Sequence, residues 1–192
     1  MIYNVIRFFH ILAVVFMSAP LYNLVVVHER KRLLKPTLAV ERYFENIIRG
    51  SALRCYVYQL TALVTGILLI PLSGSSLSEL IMNPILLAKV ILLLVLTTLL
   101  SIVYFRLQPV VDRLLSEAES ETVLESIIKQ IAPVRLQRTR LAAVCLFIVI
   151  TIVLLGLQTT AQFGFSTTAL LIALAALSSW RVYRTPIRYG WI

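Results

Sequence analysis

The stretch PILLAKVILLLVLTTLLSIVYF, residues 84–105, decides the fold class of this chain. It carries a single charge, Lys89, before Arg106 closes it. A helix rises 1.5 Å per residue, so about 20 such residues cross the ~30 Å hydrocarbon core of a bilayer. Four further apolar stretches flank it, at residues 2–27, 53–72, 141–157 and 166–183. The composition agrees: 59% of the 192 residues are hydrophobic and the mean hydropathy is +0.91. Soluble domains of this size do not carry that much apolar sequence. The expectation is an all-α membrane protein, one five-helix transmembrane bundle over residues 1–192, with no separate globular domain.

The cations give that bundle a direction. Sixteen of the eighteen Lys and Arg residues lie in the segments that follow the first and third spans or in the C-terminal tail. The loops 73–83 and 158–165 carry none. Positive charge is retained on the cytoplasmic side, so the N-terminus is expected outside and the C-terminus in the cytoplasm, in a multi-pass protein of the inner (plasma) membrane. On this reading the net charge of +9 faces anionic lipid headgroups and not nucleic acid. The first span is long enough to cross, and its strongest positive cluster follows it, so it is expected to stay as an anchor and not to be cleaved as a signal peptide.

Both cytoplasmic segments read as amphipathic helices. After Pro36, residues 37–49 put Val40, Phe44, Ile47 and Ile48 on one face and Glu41, Arg42, Glu45 and Arg49 on the other. That period suits a helix lying at headgroup level with its charges in water. In residues 109–138, Val111, Leu114, Leu115, Leu124, Ile127, Ile128 and Ile131 recur at helical spacing, bracketed by Pro109 and Pro133. The acids from Glu117 to Glu125 form a solvated face or a docking surface for a basic partner or a divalent ion. Cys55 and Cys145, at cytoplasmic span ends, are expected reduced, and no Cys/His cluster suggests structural zinc.

Two cations remain, Arg7 and Lys89, and both lie inside spans. Ionisable groups there are costly, which makes them functional candidates. Tyr3, Arg7 and His10 share one face of the first span. The third span runs in the same direction and brings Lys89 to a similar depth in the outer leaflet. His10, Lys89 and Arg7 are therefore the candidate cofactor- or substrate-binding residues. Arg7 can reach the headgroups on its long stem. His10 cannot, and needs a polar partner. A haem b is the cofactor considered, with His10 as its one axial metal ligand. His28 lies ~27 Å further along a helix, so the other ligand would come from Met17 or another subunit. Ala142, Ala143, Ala169, Ala173, Ala175, Ala176, Ser178 and Ser179 supply small residues for close helix approach and for assembly.

The stretch Ile6-Arg7-Phe8-Phe9-His10-Ile11-Leu12-Ala13-Val14, the pair His28-Glu29 and the run Ala88-Lys89-Val90-Ile91-Leu92-Leu93 resemble the first and third spans of a membrane superfamily. It contains the HemJ-type protoporphyrinogen oxidases and the CopD-type copper-resistance membrane domains. The resemblance covers about residues 1–157 and implies an intramembrane His10 and Lys89 near b-type haem. Tyr104-Phe105-Arg106 stands where a histidine would follow the third span. Arg135-Leu136-Gln137-Arg138 replaces an Asn-Glu-x-Pro element, and a fifth span is added. These departures point to a separate branch. The expected function is a non-catalytic or haem-associated accessory subunit or partner of a membrane redox complex, in contact with lipid and with other membrane subunits or a second copy. The alternatives are a HemJ-like oxidase and a small-solute or copper permease.

Overall fold

The computed structural model describes residues 1–33, 37–118, 121–159 and 163–184. The chain forms α1 (Ile2–Leu33), α2 (Leu38–Leu72), the short α3 (Glu79–Met82), α4 (Pro84–Ile102), α5 (Gln108–Ser116), α6 (Glu121–Gln158) and α7 (Phe165–Arg184). A π-helical segment, Val103–Leu107, joins α4 to α5 without interrupting the rod. Five helical stretches are long and apolar enough to cross a membrane, as the hydropathy pattern predicts. Their outward faces are apolar: Phe8, Ile11, Val57, Leu60, Val64, Leu94 and Leu174 are exposed. In water that surface would be a liability, whereas in a bilayer it contacts lipid.

Local chemistry sets the helix starts. The Thr37 hydroxyl accepts from the Val40 N–H at 3.4 Å. The Asn83 side chain accepts from the N–H groups of Ile85 and Leu86 at 3.0 and 3.5 Å, with Pro84 opening α4. Both satisfy donors that a helix N-terminus leaves without intrahelical partners. Gly74, at φ +84°, turns the chain out of α2, in a region closed to most side chains.

α6 is central. It packs on α1, α4, α5 and α7, while α1 also lies along α2. The bundle core gathers Met17, Cys55, Leu93, Leu96, Cys145, Ile148, Val149 and Ile152. A second core, Val111, Leu115, Ala118, Ile127 and Ile131, ties α5 to the first turns of α6. We call the end where α2 and α6 begin and α1 and α7 finish the cationic end.

Two expectations are corrected there. Residues 37–49 do not form a separate surface helix: α2 is continuous for 35 residues, or ~52 Å. Gly50 and Ser51 do not break it, and the next proline is Pro71, in its last turn. Pro133 likewise does not end a helix but sits inside α6, which runs for 38 residues. The hydrogen bond that this proline cannot donate would go to the carbonyl of Lys129. Lys129 and Pro133 are both on the exposed face, where water can satisfy that carbonyl. The loop helices are thus extensions of the spans, standing ~20 Å beyond the hydrocarbon.

Candidate functional site

α2 positions most of the buried polar groups. Its buried residues include Glu41, Glu45, Ile48, Ala52, Cys55, Gln59 and Ala62. Spacings of three and four keep these on one stripe facing the bundle axis. Contrary to the amphipathic reading, Glu41 and Glu45 lie on the buried face, each 3% exposed, whereas Arg42 stays exposed.

The reason is a pair of arginines on α6. Arg135 Nη2 donates to Glu41 and, at 3.0 Å, to Glu45 Oε1. Arg138 Nη1 donates to Glu45 Oε2 at 2.7 Å and to Gln108 Oε1 at 2.8 Å, and its Nη2 reaches Glu45 Oε1 at 3.1 Å. Gln108 Nε2 bridges Glu45 and Asp112, at 3.3 and 3.2 Å. Asp112 in turn pairs with Arg49 at the more exposed edge. Two carboxylates and two guanidiniums are buried together and cancel, which is the condition for ions to survive away from water. Arg135 and Arg138, read from the sequence as cations facing headgroups, are thus internal.

Further along the stripe, Gln59 is 3% exposed. Its Nε2 donates to Cys55 Sγ at 3.4 Å, and its Oε1 accepts from the Thr97 hydroxyl at 2.8 Å. A cavity of about 70 Å³ lies here, lined among others by Met17, Cys55, Gln59, Cys145 and Arg138.

The residues singled out in the sequence lie at the other end. His10 Nδ1 is 3.0 Å from Thr65 Oγ1. The Thr65 hydroxyl donates its own hydrogen to the Thr61 carbonyl at 2.5 Å, so it accepts from Nδ1–H. The hydrogen-bond network thus assigns the tautomer and leaves Nε2 as the second ring nitrogen. The imidazole sits against Gly66: a Cβ there would be 3.2 Å from His10 Cε1. Lys89 reaches across to α6, its Nζ 3.8 Å from where a Cβ on Gly156 would be. It stands close enough to His10 for its charge to act on the ring. His10 is thus seated against α2 and Lys89 against α6. Arg7 is exposed and has no hydrogen-bond or ion-pair partner among the described residues. Glu119 and the side chains of His28, Glu121 and Glu125 lie outside the described residues; Glu117 pairs with Arg113 at 3.4 Å on the surface.

Haem can be tested against this geometry. Met17 is 1% exposed in the bundle core and lies on the same helix as His10, ~10 Å along it. Two groups so placed do not face each other across one porphyrin. A lysine beside the imidazole also disfavours a metal cation at Nε2. The residues present do not fit a haem held by this chain alone, and no chemical step is routed through one. Among the described residues no group of three His, Cys, Asp or Glu side chains could hold a metal ion.

The ionic cluster, Gln59 and Thr97 went unnoticed in the sequence. The signals available were the opposite-sign pairs Glu41/Glu45 and Arg135/Arg138 at helical spacing, and Gln59 as the one amide in residues 53–72. Helix packing, length and composition make the chain a multi-pass helical membrane protein in contact with lipid. No protein-family model, curated protein or solved structure matches it.

Proposed function

We propose that the chain is a non-catalytic subunit of a multi-chain assembly in the inner (plasma) membrane, with its N-terminus outside and its cationic end in the cytoplasm. One observation carries the reading: the buried charged and amide side chains bind other side chains. Thr65 holds His10, Thr97 and Cys55 hold Gln59, and Glu41 and Glu45 hold Arg135 and Arg138. Groups so engaged brace helices and are not presented to a reacting substrate. The standing ends of α2, α5 and α6 form a braced head for a partner to grip. α7, with only Ala175 and Ser179 buried, leaves its flank for a neighbouring membrane chain. Kinship with the HemJ/CopD-like superfamily remains part of this proposal, and it rests on the His10 and Lys89 segments.

Extraction in mild detergent followed by native mass spectrometry tests the subunit reading. We expect a second membrane chain or a second copy to stay bound; a lone monomer overturns it. Orientation is tested separately by reporter insertions near Ser75 and Thr160, expected external, and at Ile192, expected cytoplasmic. An external C-terminus would sink the five-span arrangement.

A small-solute permease is the second reading. The cavity favours it, and because its wall is almost wholly apolar the solute would be apolar.

A further inference from the structure

Lys89 stands apart from the charge pairing at the cationic end. Its ammonium group has no hydrogen-bond acceptor or carboxylate partner among the described residues. It is partly buried and lies against Gly156 of α6. Eight of the nine acids belong to the cationic-end segments, and the ninth, Glu79, is exposed in α3 and unpaired. An uncompensated cation within an apolar bundle is costly, so this end calls for a negative charge that the chain does not supply.

We propose that Lys89 anchors a binding site for one anionic group, a carboxylate or a phosphate. Lys89 offers the charge and N–H donors that the oxygens of one anion can accept. Gly156 suits the arrangement, since it presents no side chain of α6 to Nζ. Lys89 is five residues into α4, ~7.5 Å below its start. A lipid headgroup phosphate and a small soluble anion can both come to that depth. The inference goes beyond the subunit proposal and does not depend on it.

The test uses the full chain in phosphatidylcholine nanodiscs and follows the thermal unfolding midpoint. Three additions are compared: phosphatidylglycerol in the bilayer, inorganic phosphate, and acetate. We expect at least one to raise the wild-type midpoint by about 3 °C more than it raises that of Lys89→Met. Lys89→Arg should retain the response. The cationic end also attracts anionic lipid, but equally in both proteins, so the difference isolates Lys89. In phosphatidylcholine alone Lys89→Met should unfold no lower than wild type, which shows that the variant folds. A response to phosphatidylglycerol only identifies a lipid headgroup; a response to phosphate or acetate identifies a soluble anion. A wild-type midpoint unmoved by all three, or a Lys89→Met midpoint that moves as far, overturns the proposal.

Discussion

At the cationic end of the bundle, Glu41, Glu45, Arg135 and Arg138 are buried together and their charges cancel. At the opposite end, neither His10 nor Lys89 has an acid partner among the described residues. Both sets consist of ionisable groups inside an apolar fold, yet they pose opposite problems. The first is complete in charge: its carboxylates and guanidiniums pair across helices, although Arg138 Nε has no hydrogen-bond partner, and removing one member leaves the others stranded. The second is incomplete: removing Lys89 strands nothing. Burial of charge therefore says little by itself, and what distinguishes brace from site is whether the counter-charge comes from the same chain.

The largest effect is expected at the complete cluster. Glu45→Ala deprives both Arg135 and Arg138 of their shared partner, and should cost about 3–5 kcal/mol in unfolding measured in detergent. Replacing Glu41, Glu45, Arg135 and Arg138 together by Met should cost much less, since no buried charge is then left alone. If the single variant is as stable as wild type, the cluster is not the brace described here.

An intermediate effect is expected where His10 meets α2. Gly66→Leu should push the imidazole off Thr65 and overpack the α1–α2 contact, lowering stability by about 1–3 kcal/mol. Histidine NMR would report the lost Nδ1 bond as a changed tautomer signal. An unchanged spectrum would mean that His10 is not seated as described. The smallest effect belongs to the surface pair Arg113–Glu117, exposed at 83% and 55%. Glu117→Ala should stay within about 0.5 kcal/mol of wild type and lose even that in high salt. A larger cost would show that this acidic turn is engaged by something beyond Arg113.

Some of this was legible early and for local reasons. Hydropathy needs only a window of neighbouring residues, so the five spans of residues 2–27, 53–72, 84–105, 141–157 and 166–183 fall within helices of the structure. That His10 needs a polar partner was also legible, because a histidine at that depth cannot reach the headgroups, and Thr65 supplies the partner. The faces of residues 37–49 were misread. Helical period shows which side chains share a face, but not which face turns inward when both carry something to bury.

The sequence alone determined the class of protein, the number of crossings and the polarised charge, since these depend on composition along short stretches. Only the tertiary structure decided which polar groups meet. Glu45 and Arg138 are 93 residues apart in the chain and 2.7 Å apart in the bundle. Their pairing depends on α2 and α6 standing side by side beyond the membrane. Nothing in either segment's own periodicity specifies that contact, because a buried ion pair is stable only when both partners arrive together.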